Sequence, residues 1–241
     1  MKVKWLGHAS FLITSNGGIR IMTDPYTPGG LGLNYGEIKE LADIVTVSHE
    51  HGDHNNVAAV RGNPKIIKDK TTWVIPAAIL DTSYVRSRIP ELRKDREEIS
   101  NIRFNAIHAY HDNADGKQRG KNTIFCFEVD GIRVCHLGDL GHMLSDKQVA
   151  ELGSVDILLI PVGGNFTIDA KVATEVCGRL SPKVIIPMHY RNERCPIFPI
   201  AGVGEFLKGK KGIKKLDTSE AEFKQGELPA TTQIIVLKPA L

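Results

Sequence analysis

Apolar residues recur at every second position at the start of the chain, and this period of two predicts strands at Val3 to Leu6, Ser10 to Ile13 and Ile19 to Thr23. Ser15-Asn16-Gly17-Gly18 is a hairpin turn signal between the last two. Asp24-Pro25 closes this meander. A loop containing Pro28, Gly29, Gly30, Gly32 and Gly36 follows, flexible enough to border a substrate opening. The β-branched run Val45-Thr46-Val47-Ser48 reads as a buried strand. From there helical and extended patterns alternate. A short helix capped by Asn55 is expected to Val60, a strand over Lys65 to Lys68, and two helices within 76–98 that begin near Ala77 and Pro90. Later come a strand over Ile102 to Ile107, a buried strand over Val155 to Val162, and an amphipathic helix over Ile168 to Leu180 that starts at Thr167 or Asp169. Val184 to Pro187 reads as a strand, Gly202 to Lys208 as a surface helix and Thr232 to Leu237 as a closing strand.

Within Ile124 to His136, the turn Asp130-Gly131 sets the register, because a two-residue hairpin pairs residues whose numbers sum to 261. Val129 then faces Ile132, Phe127 faces Val134 and Phe125 faces His136; on the other face Glu128 meets Arg133 and Cys126 meets Cys135. His136 shares the apolar face and is expected to be a packed core histidine rather than a ligand.

Composition changes this picture little. With 241 residues, 41% hydrophobic and 24% charged, the chain is expected to form one soluble domain, 1–241, with no linker inside it. A net charge of +3 argues against nucleic acid as a partner, and the basic run Lys208 to Lys215 reads as a solvated turn. No apolar run approaches the ~20 residues of a membrane-spanning helix, and the N-terminus lacks the pattern of a signal peptide, so a cytoplasmic location is expected. Cys126, Cys135, Cys177 and Cys195 show no Cys-x-x-Cys spacing and are expected to be reduced thiols, with a Cys126–Cys135 disulfide disfavoured.

The strand at Val45 ends in Ser48-His49-Glu50-His51-Gly52-Asp53-His54, which places four metal-competent side chains in one loop. A His-Glu-x-x-His zinc helix would need its second His where Asp53 stands, and Gly52 disfavours a helix. His49 and His51 can converge on one cation while Asp53 and His54, turned away at Gly52, serve a second.

This loop resembles the metal-binding motif of the metallo-β-lactamase superfamily. Gly7-His8-Ala9-Ser10, Thr23-Asp24-Pro25, Tyr110-His111-Asp112, Leu137-Gly138-Asp139 and Pro187-Met188-His189 extend the likeness, in order, over nearly the whole chain. They are most similar to the small stand-alone branch of uncharacterised metal-dependent hydrolases related to the ascorbate-6-phosphate lactonases. The resemblance implies an α/β fold, a four-layer αβ/βα sandwich with two mixed sheets. It implies one metal on His49, His51 and His111, a second on Asp53, His54 and His189, and Asp139 bridging both. Two divalent ions are expected, zinc first, with manganese and iron compatible with an all-His/Asp shell. His108 competes with His111, but its parity with Ile102, Phe104 and Ala106 turns it toward the core, whereas His111 lies past the strand and matches the family.

Asp53, Asp139 and His8 are the catalytic candidates, His8 as a proton donor, a substrate contact or a structural histidine under the site. Asp24 reads as a partner of a ligand histidine or as a backbone cap. His142 reads as an exposed loop residue, and Arg119, Lys121, Asn122 and Asn165 as loop residues able to reach an anionic group. The function expected is metal-dependent hydrolysis of a small anionic molecule through a lactone, phosphoester or phosphodiester bond. A nuclease of the same superfamily, a redox enzyme and a non-catalytic metal sensor are the alternatives. A homo-oligomer stays open.

Overall fold

The computed structural model describes residues 1–68, 73–75 and 102–241. Its N-terminal meander is β1 (Lys2–Gly7), β2 (Ser10–Thr14) and β3 (Arg20–Thr23), paired antiparallel with Val3 opposite Ile13 and Ile13 opposite Ile21. β4 (Ile44–Thr46) and β5 (Lys65–Ile67) extend it in parallel. A late strand, here β13 (Glu220–Glu222), pairs with the free edge of β1. The second sheet starts with β6 (Trp73–Ile75), β7 (Ile102–Tyr110), β8 (Lys121–Val129) and β9 (Ile132–His136), all antiparallel. It continues in parallel through β10 (Ile157–Pro161), β11 (Val184–Met188), β14 (Gln233–Val236) and β12 (Ile213–Lys215). Both sheets are therefore mixed. β10 and β11 are buried at every residue, as parallel strands covered on both faces must be.

The register of the β8–β9 hairpin is the one its turn dictates, from Val129 opposite Ile132 to Phe125 opposite His136. Cys126 opposes Cys135 as expected, yet the two are joined in a disulfide, which overturns the expectation of reduced thiols at this pair. The reason is proximity: the hairpin holds the Cα atoms 4.1 Å apart, so the register alone brings the sulfurs together. Cys177 and Cys195 are free and buried.

Inward residues of both sheets, among them Trp5, Phe11, Ile21, Phe104, Phe125 and Phe127, share one core. Of the helices described, α1 (Asp146–Leu152) begins at a capping box of Ser145 and Gln148, and α2 (Ala170–Leu180) begins where Asp169 accepts from the Val172 N–H. Ala173, Val176, Cys177 and Leu180 of α2 join that core. α3 (Val203–Leu207) packs beside α2 and contributes Phe206. The outer face of the first sheet is different. Leu6, Leu12, Met22, Val45 and Val47 are covered by Tyr26, Leu33, Tyr35, Ile38, Phe198 and Ile200, which lie outside the strands and helices named here. The glycine-rich loop expected to border an opening is thus a packed cover. The expected helices within 76–98 lie outside the described residues. No helix among the described residues is long and apolar enough to cross a membrane.

Two further expectations changed. The helix expected from Asn55 is only a 3-10 turn, Val57–Ala59, because Asn56 is tied into neighbouring chain: its N–H donates to the Pro25 carbonyl and its side chain to that of Tyr26. In β7 the buried set switches parity after Ala106, so His108 is half-buried beside Tyr110 rather than in the core.

Candidate metal centre

Six strands from both sheets end at one place. His8 follows β1, Asp24 follows β3, His49 to His54 lie just beyond β4, His111 follows β7, Asp139 lies three residues after β9 and His189 follows β11. These strands are paired within the two sheets, so the side chains just beyond them are held by the sheet framework. Asp139 is at the middle. Its Oδ2 lies 3.2 Å from Nε2 of His54, 3.2 Å from Nε2 of His111, 3.3 Å from Nε2 of His189 and 3.9 Å from Nε2 of His49.

Around it the ligand-competent atoms fall into groups. His49, His51 and His111 form one; His8, Asp53, His54 and His189 form another, with all candidate atoms of each group within 4.8 Å of one another. The two groups match the ligand sets that the sequence resemblance implies, with His8 added to the second. A third grouping, Asp24 with His49 and His54, is satisfied internally, as follows.

Asp24 is 0% exposed and organises both sets. Its Oδ1 accepts from the Ser48 N–H at 2.7 Å, and its Oδ2 accepts from the Ser48 hydroxyl at 2.5 Å and from Nδ1 of His54 at 2.9 Å. Since the Ser48 proton points to Asp24, the 2.9 Å contact of Ser48 Oγ with His49 Nδ1 requires the imidazole to donate. Both rings therefore carry a proton on Nδ1, which turns Nε2 inward. Asp24 was anticipated as such a partner; Ser48 was not.

Several atoms at the centre fit a cation. Nε2 of His49, Nε2 of His54 and Oδ1 of Asp139 are buried and make no hydrogen bond, an arrangement that costs about 1–3 kcal/mol per orphaned group unless something electropositive is bound there. The donor set, imidazole and carboxylate without thiolate, suits zinc, manganese or iron. Three of the residues, His8, Asp24 and His189, adopt left-handed backbone with φ of 50°, 39° and 49°. Such conformations are costly for these residue types and persist where the surrounding structure enforces them.

The charges follow from burial and neighbours. Burial and the nearby His189 ring push His8 down to about 4, so it is neutral and its 3.3 Å contact with Asp53 is an N–H donated to a carboxylate rather than an ion pair. Burial and the His54 ring likewise push His49 down to about 3. Burial opposes charge on His54 as well, but the carboxylates of Asp139 and Asp24 outweigh it and hold that ring well above its ordinary value. Burial would raise Asp139, yet His189 and His54 hold it well below the usual carboxylate range.

The remaining candidates divide. His108 is outside the centre, in a polar cleft with Tyr110 and His142. His142 is half-buried rather than exposed: Nε2 accepts from the Tyr110 N–H and Nδ1 donates to the Met143 carbonyl. His136 is in the core, bonded to the Ala9 carbonyl and the Gly138 N–H. Asn122 is no loop residue but a fully buried part of β8, where it accepts from the Asp139 N–H at 3.0 Å and donates to the Leu137 carbonyl at 2.9 Å. Gly138 lies against it with φ of 55°; a Cβ there would meet Asn122 Oδ1 at 2.4 Å, so the turn that presents Asp139 needs glycine. Lys121 and Asn165 are exposed, and Arg119 lines the cavity above the centre.

Known proteins share the sequence pattern and the fold. A family profile described as the beta-lactamase superfamily domain matches residues 2–189. A UPF0173 metal-dependent hydrolase of Carboxydothermus hydrogenoformans is 32% identical over 91% of this chain and 98% of its own length, and one from Archaeoglobus fulgidus is 30% identical over 94% and 97%. The crystal structure of a Thermotoga maritima protein, provisionally assigned as a zinc-dependent hydrolase of the metallo-β-lactamase superfamily, superposes with a TM-score of 0.72 at 33% identity, covering 98% of this chain and 97% of that one. With two mixed sheets, a shared His/Asp centre at their strand ends and relatives of this length, the chain belongs to the metallo-β-lactamase superfamily and is a metal-dependent hydrolase.

Proposed function

We propose that this hydrolase holds two divalent ions, zinc first, and cleaves a small anionic molecule at a lactone, phosphoester or phosphodiester bond. The observation that carries the reading is the set of orphaned inward atoms on His49, His54 and Asp139, surrounded by two ligand groups, with Asp139 Oδ2 3.2 Å from Nε2 of His111 in one and 3.2 Å from Nε2 of His54 in the other. In this reading His49, His51 and His111 would hold one ion and Asp53, His54 and His189 the other, with the Asp139 carboxylate available to both. Divalent cations at such a site lower the pKa of a water so that hydroxide is available near neutrality, and they polarise the substrate oxygen.

The chain's own residues do the rest. Two carboxylates against two dications leave the centre net positive, which favours an anionic substrate. Asp24 fixes the tautomers of His49 and His54. His8 is buried among Asp53, His54 and His189, does not line the cavity as Asp139 and His189 do, and donates Nε2–H to Asp53. That favours the positioning role for His8 over proton donation. We retain a cytoplasmic location, with the Cys126–Cys135 bond protected from reductants because both residues are 0% exposed.

The test is a panel of lactones, phosphomonoesters, phosphodiesters and carboxylic esters, assayed with the zinc, manganese and iron forms. Chelator-sensitive turnover of an anionic member, restored by metal, supports the reading. Tight metal binding with no turnover across the panel would identify a sensor instead, and turnover confined to nucleic acid a nuclease.

A further inference from the structure

Above the centre lies a cavity of about 440 Å³ whose floor is His51, Asp53, His111, Asp139 and His189. Its upper wall is made differently. Phe166 and Phe198 stand 5.4 Å apart between ring centroids, and Phe198 packs in turn on His8 and His189 at 5.7 and 6.2 Å. The Arg119 guanidinium lies over the open face of Phe166, 5.6 Å from its centroid. Arg119 lines the cavity and forms no ion pair among the described residues.

Its position is fixed from behind. Asp112, next to His111, accepts four backbone N–H bonds, from Ala114 and Gly116 on Oδ1 and from Gln118 and Arg119 on Oδ2, the last at 2.7 Å. One buried carboxylate thus ties the 112–119 loop to the residue beside a ligand histidine and sets the origin of the Arg119 side chain. An arginine stacked on an aromatic face and lacking a carboxylate partner presents its N–H fork to whatever enters, and that fork matches the paired oxygens of a carboxylate or phosphoryl group. The apolar wall lowers the local dielectric and strengthens the attraction.

We propose that Arg119, Phe166 and Phe198 form a recognition subsite for an organic anion whose carboxylate or phosphoryl group pairs with Arg119 and whose ring-sized apolar body lies on the two phenylalanines. This names the substrate class of the hydrolase reading and rests on it. Such a ligand presents its remaining end to the floor. One guanidinium on an otherwise apolar wall suits a single charge; a polyanion such as nucleic acid would need a track of several cations.

The test is calorimetric binding of phenylphosphonate, phenylacetate, benzyl alcohol and inorganic phosphate to the zinc-loaded wild type and to Arg119→Ala, Arg119→Lys and Phe166→Ala, with elemental analysis to check that metal content is unchanged. Neither arginine variant removes the N–H that Asp112 binds. The wild type should bind both phenyl anions, and benzyl alcohol at least tenfold more weakly. Arg119→Ala should weaken both phenyl anions at least tenfold while leaving inorganic phosphate within threefold, and Arg119→Lys should recover only part of the loss. Phe166→Ala should weaken both phenyl anions about fivefold and leave inorganic phosphate alone. The tighter of the two phenyl anions identifies the head group. Wild-type affinity of Arg119→Ala for the phenyl anions, equal losses for inorganic phosphate, or no binding of either anion to the wild type overturns the proposal. Because binding is read without turnover, a failed subsite and a failed hydrolase reading give different results.

Discussion

His51 and His54 are three residues apart in one loop and live in opposite environments. His54 is 0% exposed, with Nδ1 fixed by Asp24 and Nε2 facing Asp139. The His51 side chain is exposed and makes no hydrogen bond among the described residues, where its ring lies against those of His49 and His111. Within the loop His54 is therefore set by hydrogen bonds that exist before any cation arrives, whereas His51, at the cavity, takes its final geometry from what it binds. Preorganisation is concentrated where the fold buries the site, and adaptability where substrate enters.

Asp139, shared by both halves, should dominate. Asp139→Asn keeps the size and the turn and removes the charge, and kcat is expected to fall on the order of 100-fold or more with partial loss of metal. Unchanged turnover with full metal content would falsify the shared-carboxylate arrangement. Next comes the open half. His111→Ala should cost metal affinity on the order of 100-fold, while His108→Ala, outside the centre, should leave metal content intact; elemental analysis and metal titration separate the two. Asp24→Ala touches no metal directly yet should lower affinity by roughly 10- to 100-fold, chiefly at the His54 half, by releasing both ring tautomers. It should also cost about 2–4 kcal/mol of stability by orphaning the Ser48 N–H and the His54 Nδ1–H, read by denaturant unfolding. If Asp24→Ala weakened the His51 half more, the contrast drawn above would be reversed. The smallest effect is expected at Gly52→Ala. Gly52 has no left-handed φ and a Cβ there meets nothing within 4 Å, so stability should change by no more than about 0.5 kcal/mol and metal content not at all.

That last case shows where sequence and structure part. Gly52 looks like the pivot that turns Asp53 away from His51, but the turn is closed instead by His54 N–H donating to the His51 carbonyl and by Thr27 donating to that of Gly52. Features governed by local chemistry were legible: the meander, the Asp130-Gly131 register and the histidine loop each follow from residue types a few positions apart. Features governed by distant partners were not. Asn122 looks like a polar loop residue between Lys121 and Thr123, and only the approach of the 137–139 turn gives it partners that permit full burial. The covering loop over the first sheet carries no periodicity to mark Tyr26, Leu33 and Tyr35 as core. By contrast the signal for α1 was present in Ser145 and Gln148, a capping box with the hydrophobic positions too few to stand out.

The left-handed backbone at His8, Asp24 and His189 ties the protein's endurance to its cargo. Each such conformation costs on the order of 1 kcal/mol or more, and the orphaned atoms beside them add to the burden. A cation that binds the folded chain and not the unfolded one returns that energy through mass action, about 1.4 kcal/mol per site for every tenfold of free metal above its dissociation constant. Melting temperature is then a gauge of metal supply: starved of metal, the same chain should be the first to unfold and be degraded, so that its abundance follows the metal available to it.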